Sequence, residues 1–273
     1  MVIDVHSHDF PDAIVTRAMS GMCRMTEGLL WPSGDGSLTN HLDHMERAGV
    51  DMAVTCPIAT KPSQFDVIFR RACAIREGRL GERARRMLVP FASVHPDDPD
   101  VERHLRMIAA AGIKGIKFHP YYQDFSLVEE RSIRMFGIIA DLGLVVQCHG
   151  GGDISWKTLS GMCGPAEVEA LMRKCPTLKF IAAHLGGCFR NLPHSVDRLL
   201  DLGVYIDTSV LHRRWFYDEE MRLLRSWPTE RLLFATDFPW VHYPEAIAWV
   251  KSVRAQEDLP AVLGGNACRL LGL

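Results

Sequence analysis

The chain has 273 residues, a formal charge of −2, 47% apolar and 23% charged residues, values of a soluble globular protein able to bury a sizeable core rather than a disordered one. Acidic and basic residues are interspersed, which excludes a nucleic-acid surface and a polybasic membrane anchor. A small molecule is the expected partner, and homo-oligomerisation is left open.

The length suits either one large α/β barrel, which commonly runs to ~250 residues, or two modest domains. Eight cysteines never form C-x-x-C, and several sit in apolar runs such as VTCPIA and VVQCHG. Buried reduced thiols are the simpler reading, and with them a cytoplasmic location. The first residues form no signal peptide, and no stretch approaches the ~18 apolar residues of a membrane span, so neither secretion nor membrane insertion is expected.

The opening MVIDVHSHDF predicts a strand over 2–7, with Val2, Ile3 and Val5 as β-formers. Side chains alternate along a strand, so His6 and His8 point the same way from its end. Residues 9–39 form a long connection rich in Met and Leu, closed by PSGDGS, and read either as a lid over a site or as a short helix packed on the rim. A helix is expected from Thr39 or Asn40 as N-cap to Ala48, ended by Gly49. VDMAVTCPIA then supplies a strand over 51–58.

Residues 62–80 carry Phe65, Ile68, Phe69, Ala72 and Ile75 on one stripe of an amphipathic helix, with the charge-dense REGRLGERARR as its solvated end. The alternation then repeats, with further strands at 87–94, 113–119, 143–149, 178–184, 203–209 and 231–237 and helical stretches between them. Acidic residues crowd the start of the helix in DDPDVERHLRMIAAAG, as its dipole favours. Eight alternating strands and helices demand a parallel sheet with right-handed crossovers and close most naturally into a single-domain (β/α)₈ TIM barrel spanning 1–273. A doubly wound open sheet is the rival, but no G-x-G-x-x-G follows the first strand.

The expected C-terminal strand ends carry His6, His8, His95, His119, His149, His184, Ser209 and Asp237. Active sites of this fold sit at that face, so residues distant in sequence converge there. Five strand-end histidine positions with one aspartate point to a metal site, since imidazole and carboxylate are the donors a catalytic divalent ion takes. Glycines follow two of these histidines directly, at Gly150–Gly152 and Gly186–Gly187, where they suit either close ligand approach or a tight turn. His41, His44, His104, His194 and His212 fall away from the strand ends and read as surface or packing residues.

MVIDVHSH, GIKGIKFHP, VVQCHGG, FIAAHLGG, YIDTS, LLFATDFPW and LGGNACRLLGL together resemble the amidohydrolase superfamily, in particular its amidohydrolase-2 branch, which includes relatives of aminocarboxymuconate-semialdehyde decarboxylase. The resemblance implies one divalent ion, most readily Zn²⁺, held by His6, His8, His149 and Asp237, with His184 handling protons beside it. Members with a second ion bridge the pair with a carboxylated lysine or a glutamate from strand four, where this chain offers Lys117, on the same face as His119. Lys117 serves equally well as an ion-pair or pocket residue. Three neutral imidazoles and one carboxylate leave such an ion partly uncompensated, which lowers the pKa of its water toward ~7.

His119, Tyr121, Trp156, Arg213 and Trp240 are the candidate substrate contacts, with aromatics walling the pocket and an arginine clamping a carboxylate. The expected reaction is hydrolysis of a small, carboxylated lactone, ester or amide. A non-oxidative decarboxylase of an aromatic or muconate-type acid and a non-catalytic metal-binding scaffold are the rivals, since fold does not fix reaction.

Overall fold

The computed structural model describes residues 1–27, 31–153, 155, 161–187, 195–209 and 218–273. Among them, β1 (Ile3–Ser7), β2 (Met52–Thr55) and β3 (Leu88–Pro90) form one parallel ladder. A second runs through β4 (Gly115–Phe118), β5 (Val145–Cys148), β6 (Lys179–Ala182), β7 (Tyr205–Asp207) and β8 (Leu232–Leu233). Backbone bonds join the ladders at both seams: Ala92 N to Gly115 O (3.0 Å) and Lys117 N to Ala92 O (2.9 Å) on one side, Val5 N to Phe234 O (3.0 Å) and Asp237 N to His6 O (2.8 Å) on the other. The result is a closed eight-stranded parallel barrel, the (β/α)₈ architecture expected from the alternation.

Two apolar layers hold it. Val54, Val89, Val145, Ile181 and Leu233, from five strands, meet in one buried cluster that fills the barrel interior. Ala267, Leu270 and Leu271 of the helix Asn266–Leu271 belong to the same cluster and plug the end of the barrel where the strands begin. The alternate strand residues, such as Ile116, Val146, Phe180 and Ile206, pack outward with Leu105, Phe136 and Leu171 of the surrounding helices. This is the two-sided burial that makes parallel strands read as continuous apolar runs.

The observed strands end up to four residues short of the runs that the sequence pattern marks. Past those ends the chain leaves the ladder and aims side chains over the barrel mouth. One such departure lies inside β1: Asp4 pairs with Ala53 but Ser7 with Thr55, so one residue is bulged. Val5 stays in the interior cluster, yet His6, its neighbour, reaches Lys117 and Asp207 across the barrel. Strict alternation sets these two side chains on opposite faces; the bulge brings both inward. Asp4 fastens the bulge by accepting from His6 N (2.9 Å), Thr236 N (3.1 Å) and Thr236 Oγ1 (2.6 Å) of the β8 side. Burial pushes the Asp4 carboxyl up to about 7 although these bonds pull it down.

Two local expectations are corrected. The helix Leu38–Ala48 begins earlier than Thr39 or Asn40: Ser37 is its cap, its hydroxyl accepting from Asn40 N at 3.2 Å, while Gly49 ends it at φ 68°. The charge-dense segment after Ile75 is not the end of the preceding helix. Gly81, at φ 102°, breaks the chain, and Glu82–Met87 forms a separate short helix that buries Ala84 and Met87. In the connection 9–39, Phe10 N donates to Gly36 O (2.8 Å), closing a loop that contains the helix Val15–Met25.

The loops above the barrel are tied by Gln123, whose side chain is buried just beyond β4. Its amide nitrogen donates to Ala59 O (3.0 Å) and Val94 O (2.8 Å), and its oxygen accepts from His119 N (2.8 Å). Gln123→Ala strands three buried backbone groups and is expected to cost about 3 kcal/mol, lowering the melting temperature by roughly 6–12 °C. Calorimetric unfolding checks this; a change under about 1 °C would show that water replaces the amide without loss.

Candidate active site

β1 delivers His6 and His8, and the turn after β8 delivers Asp237. His8 Nε2 lies 2.9 Å and His6 Nε2 3.3 Å from the same oxygen, Asp237 Oδ1. Burial alone raises the Asp237 carboxyl, but the imidazoles of His6 and His8 outweigh it and hold the group well below the usual carboxylate range. Lys117, 1% exposed on β4, brings its Nζ within 2.7 Å of His6 Nε2.

Beneath this group sits Asp207 at the end of β7, fully buried and surrounded by donors. Ser209 N (3.0 Å), Ser209 Oγ (2.6 Å), His184 N (3.0 Å) and Gln147 Nε2 (2.5 Å) all donate to it, and His6 Nδ1 lies 3.3 Å from its Oδ2. Despite its burial, this company holds the Asp207 carboxyl well below its ordinary value.

The donors also fix the neighbouring rings. Burial brings His6 and His184 down to about 4 and holds His149 well below its usual value, so each is a neutral ring with one donor and one acceptor nitrogen. Because Ser209 spends its proton on Asp207, its oxygen accepts from His184 Nδ1 at 2.8 Å. The lone pair of His184 is then at Nε2, which lies 3.0 Å from His149 Nδ1. His149 Nε2 faces two acceptors, Gly152 O at 3.4 Å and Asp153 Oδ2 at 3.8 Å. In the same way His6 directs its Nδ1 proton at Asp207, and its Nε2 lone pair faces Lys117 and Asp237.

His149 also belongs to a second grouping. Its ring stacks on His119 with centroids 4.1 Å apart, and Asp153 Oδ2 lies 3.2 Å from His119 Nε2 and 3.8 Å from His149 Nε2. Burial brings His119 down to about 4, and Asp153, buried yet beside His119, is held well below the usual carboxylate range. Among the described residues, the His6–His8–Asp237, His6–His184–Asp207 and His119–His149–Asp153 groups each place candidate ligand atoms within 4.8 Å of one another. Neutral imidazole nitrogens beside an ionised carboxylate are the donor chemistry a divalent ion takes, so these residues fit one. All members of the first and third groups line the cavity, whereas Asp207 of the second lies buried beneath it.

A cavity of about 480 Å³ stands over this floor. His6, His8, Lys117, His119, His149, His184, Asp237 and Trp240 all line it, so eight of the residues singled out in the sequence meet there. Trp156 and Arg213 lie outside the described residues. Tyr121 differs from its expected place: the single turn Pro120–Gln123 directs it into the buried core, edge-on to His149, and sets Tyr122 on the cavity wall instead. His95 lies off the cavity, its Nδ1 accepting from Asp97 N at 3.1 Å. His41 and His104, read as surface or packing residues, are buried beside Asp9 and Asp98.

Sequence reasoning passed over Asp207 and Asp153. Asp207 carried a usable signal: in YIDTS it stands two residues before Ser209 and so shares its face. The glycines after β5 and β6 serve backbone approach, since a Cβ on Gly150 would lie 2.6 Å from Ala183 O and one on Gly187 2.4 Å from Gly151 N.

The Amidohydrolase family model matches residues 3–273. The chain belongs to the amidohydrolase family. None of the curated proteins matches its sequence. Among solved structures, an uncharacterized TIM-barrel protein from Bordetella bronchiseptica is similar at 16% identity and TM-score 0.76, covering 99% of this chain and 98% of that one. A 5-carboxyvanillate decarboxylase from Sphingomonas paucimobilis follows at 16% identity and TM-score 0.73 (100% and 99% covered). A probable 2-pyrone-4,6-dicarboxylic acid hydrolase from Acinetobacter baumannii has 13% identity and TM-score 0.67 (100% and 99% covered). At these identities the likeness is one of fold, and the amidohydrolase barrel carries both reaction types.

Asp207 orients His6, so Asp207→Asn, which exchanges the charged acceptor for a neutral amide, is expected to weaken metal affinity by about 10–100-fold. Competition against a chromophoric chelator measures it, with circular dichroism as the control on folding. Unchanged affinity in a folded variant shows that the charge of Asp207 has no part in orienting His6.

Proposed function

We propose that this amidohydrolase is a metal-dependent hydrolase acting on a lactone, ester or amide in a small molecule. The observation that carries the reading is the convergence of His6 Nε2, His8 Nε2 and Asp237 Oδ1 at the floor of an otherwise largely apolar cavity. His6, His8 and Asp237 would hold a divalent ion, most readily Zn²⁺, and His149, which lines the same cavity, completes the set implied by the family resemblance. A divalent ion in such a place supplies a Lewis acid that makes water a nucleophile near neutral pH and polarises a carbonyl.

The chain's own residues supply the rest. Asp207 and Ser209 set which nitrogen of His6 and His184 bears the proton. In our reading His184 carries protons for the reaction: it takes one at Nε2, giving up its bond to His149, and returns it to the leaving group while Ser209 keeps the ring in place. Trp240 and Tyr122 on the walls exclude water, and the helix Val15–Met25 acts as a lid over the cavity. Lys117 orients His6 through its Nζ; a carbamate there, bridging a second ion, is the alternative use of the same atom. The carboxylate clamp expected of Arg213 falls on a residue outside those described. The free cysteines among the described residues agree with a cytoplasmic setting.

Decarboxylation is the second reading, favoured by the barrel shared with the 5-carboxyvanillate decarboxylase. One assay separates them. The purified protein is expected to hydrolyse members of a panel of lactones, esters and amides, to lose that activity to a chelator and to regain it with Zn²⁺. His184→Ala is expected to lower kcat by about 10²–10⁴-fold while the bound metal, read by elemental analysis, stays. Carbon dioxide release from aromatic or muconate-type acids without any hydrolysis establishes the second reading. A protein that binds metal yet turns over nothing in either panel is the non-catalytic scaffold.

A further inference from the structure

The cavity runs from a sealed polar end to an open apolar one. At the floor, His6 and Lys117 are 1% exposed and Asp237 8%; at the mouth, Ile14 is 37% exposed and Val67 54%. Both mouth residues line the same cavity as the floor, with Ala18, Met22 and Ile68 between them. The helix Val15–Met25 explains this wall. It gives the buried core one residue, Met19, while Ala18 and Met22 face the cavity. A second wall is the helix Phe65–Arg76, which sinks Phe65 in the core and lends Val67, Ile68, Ala72 and Ile75 to the cavity.

Among the described residues of this upper half, the charged side chains Asp9 and Arg71 are paired with each other. Arg71 on the wall donates to the buried Asp9, and Lys117 at the floor is taken up by His6. Among the described lining residues, every lysine and arginine therefore already has a hydrogen-bond partner. Among those residues, a second carboxylate in the upper cavity would lose water and meet no cation without a partner.

We propose that the substrate carries an extended, uncharged apolar arm, which lies between the helices Val15–Met25 and Phe65–Arg76 while its reactive group reaches the His6–Asp237 floor. The inference deepens the hydrolase reading and rests on it only for the identity of the reactive end. A cavity of about 480 Å³ takes a whole drug-sized molecule, far more than a reactive group alone needs. Met22, flexible and polarisable, lets the groove fit arms of differing shape. Ile14, Ala18, Met22, Val67 and Ile68 thus determine specificity through arm length.

The test is calorimetric titration of the purified protein with straight-chain carboxylates from acetate to decanoate. Each methylene buried in the groove is expected to tighten Kd about fourfold, until the chain reaches the mouth. Ile14→Glu and Val67→Glu, both at exposed positions and so expected to keep the wild-type melting temperature, flatten the long end of the series by at least tenfold. A Kd independent of chain length overturns the proposal, as does a gradient equally steep in both variants. So does a wild-type dimer in light scattering that the glutamate variants dissociate, because a second copy then covers the rim. The matching p-nitrophenyl ester series separates the two readings. Graded binding without turnover sinks the hydrolase and keeps the arm, whereas turnover independent of chain length sinks the arm alone.

Discussion

A single buried carboxylate, Asp207, organises the floor of this barrel. An ion in that position is costly unless donors surround it, and here two backbone amides, a serine hydroxyl, a glutamine amide and an imidazole do so. The same bonds have a second effect. By fixing where the protons of Ser209, His184 and His6 lie, they turn the lone pair of His6 away from Asp207, toward Lys117 and Asp237. A neutral acceptor at this place would leave both ring orientations open.

Backbone geometry shows what holding the site requires. His184, Leu185 and Asp237 all adopt positive φ, a conformation that costs a non-glycine residue about 1 kcal/mol or more. At His184 the backbone N–H so presented is the one that donates to Asp207, and at Asp237 the carbonyl accepts from Trp240 N at 2.9 Å. Ala183 O, Gly187 and the backbone of Gly150 and Gly151 then come too close for any side chain between them. Unfavourable dihedrals at these points are offset by the hydrogen bonds that the turned backbone makes, which is why the local rules of strand geometry stop where the site begins.

This also explains what was readable in the sequence. The strands were legible because parallel strands covered on both faces must be apolar runs, and the candidate site because polar residues recur where those runs end. His6, His8, His119, His149, His184 and Asp237 were found on that signal, and Lys117 from the family resemblance. The bulge between Asp4 and Ser7 was not, since no glycine or proline marks it and its evidence lies in pairing with a distant strand. Asp207 escaped because an acid inside a strand carries no sign of the donors brought to it from β1, β5 and β6. Tyr121 and Tyr122 are adjacent, so only the register of the turn Pro120–Gln123 decides which one faces the cavity.

The site separates reactivity from recognition. The residues of the floor come from strand ends, held by a barrel whose interior cluster admits little movement, and Asp207 at its base is met by donors on every side. The upper wall comes from the segment between β1 and β2 and from the first turns of the helix after β2, and it is built of side chains that need no partner. Changing Ala18, Met22 or Val67 alters the shape and reach of the cavity without breaking any hydrogen bond of the floor. One chemical centre can therefore be fitted to substrates of different size by substitutions in these two helices, which is the physical reason that a barrel of this kind, even with its floor recognised, does not by itself name its substrate.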